Sequence, residues 1–206
     1  MKPSETLLEY LHTRILPLYD SFDAAHSRTH ALDVMAESLR LAEHYDVNVD
    51  MVAAAAAFHD VGLAHGRAEH HTHSARIIRE DEFLRRYFTP EQVDIIADAA
   101  EDHRASSTRA PRTIYGRIIA EADRQILPEV VLRRTVQYGL EHYPELSPEG
   151  HYARFCDHLH EKYGRTGYLR LWIDESHNAT ALEQLRKLID NEPLLHKTFL
   201  RIFNEV

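Results

Sequence analysis

Cysteine is almost missing from this chain. Cys156 stands alone among 206 residues, so no intrachain disulfide can form and a thiolate-rich structural zinc site is excluded. Turn-forming residues are also scarce. Seven glycines and eight prolines favour long helices over a strand-and-turn architecture. No apolar run approaches the roughly 20 residues of a membrane-spanning helix. The opening Met-Lys-Pro-Ser-Glu lacks the apolar core of a signal peptide. These absences lead us to expect a soluble, cytoplasmic protein with no membrane partner. Positive charge is in deficit as well: 24 Lys and Arg face 33 Asp and Glu, a formal charge of −9. General attraction to a nucleic-acid polymer or an anionic membrane is therefore not expected. A phosphate-cradling P-loop is missing too. The stretch Lys162-Tyr-Gly-Arg165-Thr-Gly-Tyr168 has glycines and bases but no Gly-Lys-Ser/Thr element. Asn178-Ala-Thr180 fits the glycosylation pattern and, without a secretion signal, is read as chance.

What is present is helical patterning and histidine. Hydrophobic residues make up 44% and charged residues 28%, as in an ordinary globular chain, and the length suits one domain over residues 1–206. The most telling stretch is Met51-Val52-Ala53-Ala54-Ala55-Ala56-Ala57, closed by Phe58-His59-Asp60-Val61-Gly62. Alanine is the best helix former and the smallest side chain with a Cβ, so the run reads as a buried, tightly packed helix. A His and an Asp at its end are costly to bury unless something satisfies both, and a divalent cation does so. An isolated His-Asp pair is more often a satisfied core histidine beside a capping aspartate. The other histidines shift that balance: ten of the sixteen precede residue 104.

In order, residues 4–18 give an amphipathic first helix closed around Pro17. A second helix, about 27–44, carries His30 in its first turn, with His26 just before it as a capping or neighbouring residue. Asp50 is expected to cap the alanine helix. Glu69 opens a helix running on to Leu84 and carrying His70, His71 and His73 near its start. Thr89-Pro90-Glu91-Gln92 is a strong helix start whose apolar stripe leads to His103. A polar loop, Arg104 to Pro111, follows. The next helix, from about Thr113 to Glu121, delivers Asp123. Later helices are expected near 129–141, 151–163, 180–191 and 193–204. The last two are read as packing helices or a homodimer interface. His30, His59-Asp60, His70, His103 and Asp123 each lie on or beside a separate helix, and one metal centre built between helices accounts for all of them.

These residues resemble those of the HD-domain superfamily of metal-dependent phosphohydrolases. The resemblance rests on His26-Ser-Arg-Thr-His30, Ala57-Phe-His59-Asp60-Val-Gly62, His70-His-Thr-His-Ser74-Ala75 and Ala122-Asp123-Arg124. It covers roughly residues 20–125, the expected HD metal-binding core, and leaves 126–206 as C-terminal packing helices. It implies an all-α helical bundle of the HD-domain type. By it, His30, His59, Asp60 and Asp123 look like primary metal ligands, and His70 (in competition with His71) and His103 like the ligands of a second ion. Asp33 departs from the pattern, since relatives often carry arginine there.

The implied cofactor is one or two divalent ions: Mn, Fe, Ni, Co, Zn or Mg. The implied substrate is a small phosphorylated molecule, with nucleotides among the candidates. Its phosphomonoester or phosphodiester bond would be cut by metal-activated water, with Asp60 and His59 catalytic. Arg104, Arg109, Lys162 and Arg165 are candidates for binding the phosphate. Two other readings stand beside this one: a non-catalytic helical module that binds a metal or nucleotide, and a di-iron oxygenase of the HD type.

Overall fold

The computed structural model describes residues 2–107 and 109–206, with every side chain among them except that of Ala24. Thr108, inside the polar loop, lies outside the described residues. Those residues form eleven α-helices and no strand, the all-α architecture expected. They cluster into two compact units, 1–124 with 172–176, and 125–171 with 177–206.

In the first unit the alanine helix is central. We label the helices α1 (Glu5–Tyr10), α2 (Arg28–Ala42), α3 (Val49–Phe58), α4 (His70–Glu80), α5 (Glu82–Tyr87), α6 (Pro90–Glu101) and α7 (Ile114–Arg124). Every residue of α3 from Met51 to Phe58 is buried. Alanines on all sides let α2, α6 and α7 approach it closely, and all three pack on α3. Ile96, Ile118 and Ile119 are fully buried, each contributing about 1.5–3 kcal/mol by leaving water. Trp172–Ser176 returns to this unit: the Trp172 N–H donates to the Glu121 carboxylate at 2.7 Å, the Tyr45 hydroxyl donates to Glu175 at 2.7 Å, and Ile173 enters the core.

Three local expectations need correcting. The first helix does not run unbroken to residue 18. After α1 it widens to a π-helical stretch at Leu11–Ile15, then tightens to a 3₁₀ stretch at Leu16–Ser21. Pro17 has no N–H to donate and crowds the carbonyl four residues back, so regular α-geometry cannot continue through it. The cap of α3 is Asn48, whose side chain accepts from the Asp50 N–H at 2.9 Å. Asp50 instead accepts from the Ser4 N–H at 2.8 Å and the Tyr87 hydroxyl at 2.7 Å, joining three helices. The helix from Glu69 stops at Glu80. Asp81 takes an extended conformation and caps α5, accepting from the Leu84 N–H at 2.8 Å. The start at Thr89 is a full capping box with Gln92.

The second unit holds α8 (Pro128–His142), α9 (Pro148–Tyr163), α10 (Asn178–Ile189) and α11 (Glu192–Glu205). Its core includes Leu132, Phe155, Leu159, Leu185 and Phe199, with the Phe155 and Phe199 rings 5.2 Å apart. None of the described helices is long and apolar enough to cross a membrane.

Between α3 and α4 the chain makes a 3₁₀ turn, Val61–His65, sewn onto α4 where the Gly62 N–H donates to Ser74 Oγ at 2.9 Å. A Cβ on Gly62 would lie 2.0 Å from the His70 carbonyl oxygen. Only a residue without a side chain allows this approach. Gly62→Ala is therefore expected to lower the melting temperature by roughly 10 °C, read by circular dichroism. An unchanged melt would show that the turn and α4 are not held this closely.

Candidate metal centre

Five segments deliver the cluster. His30 comes from the first turn of α2, where the Ser27 Oγ accepts the His30 N–H at 3.4 Å. His59 and Asp60 follow the end of α3, His70 begins α4, His103 lies just past α6, and Asp123 is in the last turn of α7. His59, Asp60 and His103 are buried, whereas the His30 and Asp123 side chains keep 17% and 24% of their surface exposed. The cluster thus has one open side.

The two Asp60 oxygens face different neighbours. Oδ2 lies 3.2 Å from His59 Nε2 and 4.0 Å from His30 Nε2. Asp123 Oδ1 closes that side, 3.2 Å from His30 Nε2 and 3.8 Å from His59 Nε2. Oδ1 of Asp60 lies 3.3 Å from His70 Nε2 and 3.4 Å from His103 Nε2, and those two nitrogens are 3.1 Å apart. Donors about 2.1 Å from a shared ion stand roughly 3.0–3.4 Å apart when adjacent and about 4.2 Å apart when opposite. Both groups fall in that range, and His30-His59-Asp60 and Asp60-His70-His103 are each compact enough to hold an ion.

The backbone fixes which nitrogens face inward. Nδ1 of His59 bonds the Ala56 carbonyl at 2.8 Å, Nδ1 of His70 that of Arg67 at 2.8 Å, and Nδ1 of His103 that of Ala100. A carbonyl only accepts, so each Nδ1 carries a proton and each neutral ring presents a bare Nε2 lone pair. The His70 and His103 lone pairs then point at one another, and that of His59 points at a carboxylate oxygen. Such an arrangement is repulsive unless a cation or an added proton lies between. Among the described residues, His59 Nε2 and Asp60 Oδ1 are buried without a hydrogen-bond partner, which a cation would remedy. The residues fit a divalent metal.

Electrostatics agree with this chemistry. Burial would push the Asp60 carboxyl up, but the His59 and His103 imidazoles more than reverse that and hold it well below the usual carboxylate range. Asp123 is likewise lowered against its burial, by His30 and then by His59 and His103. Burial opposes charge on His59, yet Asp60 and Asp123 raise its pKa. Burial and His103 lower that of His70.

The remaining candidates divide. His70 reaches the cluster, and the adjacent His71 does not. His71 lines an open groove of about 360 Å³ with Arg104, Ser106, Ser107 and Arg109, a lining with two arginines and no carboxylate. Arg104 also donates to the Ala68 carbonyl at 2.8 Å. A third arginine, unmarked in the sequence reading, frames the loop: Arg112 is bound by Asp98, Glu101 and Asp102. Lys162 and Arg165 belong to the second unit. There Arg165 pairs with Asp190 at 2.9 Å and Glu183 at 3.5 Å, and the Lys162 ammonium lies over the Tyr163 ring. His26 does not cap α2, a place that Ser27 takes; its ring instead bonds the Asp23 carboxylate at 2.8 Å. Tyr19, whose hydroxyl meets the backbone of Asp60, carries no signal in the sequence, because it sits in the irregular stretch after Pro17.

A family model described as the HD domain matches residues 28–125, a span that contains every residue of the cluster. The match assigns residues 28–125, just under half of the chain, to the HD-domain family, whose members are mostly metal-dependent hydrolases. No curated protein and no solved structure matches it.

Metal uptake should depend on pH with a definite sign. A raised His59 pKa means that a proton competes with the metal to a higher pH than at a free imidazole. Affinity for Mn²⁺ or Co²⁺ is expected to rise as pH increases from 5.5 to 8, followed by calorimetric titration. His59→Ala/Asp60→Ala should abolish uptake. A flat profile, or uptake retained in the double variant, would place the metal elsewhere.

Proposed function

We propose that this chain is a metal-dependent phosphohydrolase that cleaves a phosphomonoester or phosphodiester bond of a small phosphorylated molecule, with nucleotides among the candidates. The observation supporting this most directly is the convergence of backbone-oriented Nε2 lone pairs on the two faces of one carboxylate. In this reading His30, His59, Asp60 and Asp123 hold one divalent ion, and Asp60, His70 and His103 hold a second. Bound divalent ions supply Lewis acidity, which activates water and neutralises phosphoryl charge.

The protein's own groups provide the rest. Asp60, kept ionised by its histidine neighbours, accepts a hydrogen bond from the attacking water and so orients it. His59, anchored through Nδ1 to the Ala56 carbonyl, would present Nε2 to the same ion as that carboxylate. The fully buried alanine helix behind it keeps bulk water to the open face. Arg104 and Arg109 offer planar donor forks to phosphate oxygens, which suits them better than an acid-paired arginine. For that reason phosphate recognition is assigned to the groove and not to Arg165, which two acids hold, while Lys162 lies over the Tyr163 ring. His71 and His70 are neighbours with rings 5.5 Å apart, and Arg104 follows His103, so the groove adjoins the second group of ligands. A substrate phosphate in the groove lies beside the centre.

The test is phosphate release from a panel of nucleotides and sugar phosphates, with Mn²⁺, Co²⁺, Ni²⁺, Fe²⁺, Zn²⁺ or Mg²⁺ added to metal-stripped protein. Asp60→Asn is expected to lower kcat by at least about 100-fold, the scale of losing one key group at a reacting centre. Arg109→Ala should raise KM about tenfold with little change in kcat, as for a lost charge-assisted hydrogen bond. Metal uptake with no phosphate release from any substrate would favour a binding module. Iron-dependent oxygen consumption instead would favour the oxygenase chemistry of the same fold.

A further inference from the structure

The way α3 ends singles out a residue outside the ligand set. In a continued helix the Asp60 N–H would donate to the carbonyl of Ala56, but that carbonyl accepts His59 Nδ1–H. The freed Asp60 N–H donates instead to the hydroxyl oxygen of Tyr19 at 3.2 Å. The same hydroxyl donates its proton to the Ala57 carbonyl at 2.9 Å, one of the carbonyls left without an intrahelical partner at a helix end. One phenol group therefore satisfies two backbone groups at the break beside the His59-Asp60 doublet. Tyr19 is 1% exposed, so water does not replace it there. Its ring packs edge-on against Phe22 at 5.4 Å and lies 6.3 Å from that of His59.

We infer that Tyr19 is a positioning residue for the metal centre: its hydroxyl holds the Asp60 backbone so that the carboxylate is presented to both histidine groups at once. This rests on the metal-centre reading above and extends it to a residue that binds neither metal nor substrate. It follows from chemistry that a phenol does well and no other common side chain reproduces. The ring fills a buried space, and the hydroxyl donates in one direction while accepting in the other. A phenol keeps its proton well past neutral pH, so the hydroxyl serves both bonds throughout the working pH range.

Tyr19→Phe keeps the ring and removes only the hydroxyl. Wild type and variant, both stripped of metal, are titrated with Co²⁺, with affinity read by calorimetry and coordination geometry by the visible d–d absorption bands. The expected result is an affinity at least about tenfold weaker in the variant, with altered d–d bands at saturation. A merely structural tyrosine would lower the melting temperature and leave affinity and spectrum as in the wild type, and that result overturns the inference. Wild type that takes up no Co²⁺ overturns the metal-centre reading and this inference with it, a failure distinct from the first. Should Tyr19→Phe not fold, 3-fluorotyrosine installed at position 19 alone retains both ring and hydroxyl. Fluorine weakens that oxygen as an acceptor, so weaker Co²⁺ affinity and altered d–d bands are expected again, and affinity and bands as in the wild type overturn the inference.

Discussion

The Ala56 carbonyl accepts the His59 Nδ1–H at 2.8 Å, and this bond does two things at once. It takes the acceptor that a further helical turn would need, so α3 stops. It also protonates the imidazole on its outer nitrogen, so the inner nitrogen offers a lone pair. The same device recurs at His70 and His103, each bonded to the carbonyl three residues earlier. At His59 and His103 the bonded carbonyl belongs to a helix that is ending; at His70 it belongs to the loop before a helix begins. The C-terminal ends of helices leave carbonyls without backbone partners, and at His59 and His103 those carbonyls set the imidazole tautomers. The centre is thus assembled from chain termini of regular structure, where spare hydrogen-bonding capacity is located.

Bringing several such ends within a few ångströms requires helices to approach closely, and the alanine run makes that possible. Larger side chains along α3 would hold α2, α6 and α7 farther away, and the ends that carry His30, His103 and Asp123 would separate with them. Gly62 plays the matching part on the other side, where the turn after Asp60 lies directly on the first residues of α4. Small residues therefore set the inter-helix spacing, and the ligand distances follow from it. The buried Glu121 adds a further tie, accepting the backbone N–H of Trp172 two residues before Asp123 in sequence.

Much of this was legible in the sequence, because its signals are local. Alanine content gave the central helix, and the Thr89 capping box gave the start of α6. The histidine and aspartate types, spaced one set per helix, gave a cluster that the structure brings together: His30, His59, Asp60, His70, His103 and Asp123. What was not legible depends on contacts distant in sequence. The break at Asp81 lacked a proline or glycine to announce it. Asp50 was a reasonable cap by type, but the preceding Asn48 holds that place while Asp50 is drawn to Ser4 and Tyr87. The loop arginines could not be ranked by type either. Arg112 is consumed by three acids of α6 and its end, whereas Arg104 and Arg109 line a groove, and only the fold distinguishes them. Tyr19 is the extreme case. Its partner lies 41 residues away, and its segment follows a proline that removes any helical spacing to read.

Net charge and local charge also point in opposite directions, and the difference bears on what such a site can admit. A protein of charge −9 repels anions at long range, although salt confines that effect to about 10 Å. Within the cluster the two carboxylates Asp60 and Asp123 carry −2 when the imidazoles are neutral, so one divalent ion balances the set and a second leaves it positive. The groove then adds Arg104 and Arg109 with no acid among its lining residues. Arg104 is close enough to His71 to help lower its pKa, after the larger effect of burial, so the positive field is felt by the residues that line the groove. An anion that reaches the groove thus meets a locally positive surface on a negative protein. That arrangement favours a small anion able to enter the groove over a long polyanion that must also lie across the acidic exterior.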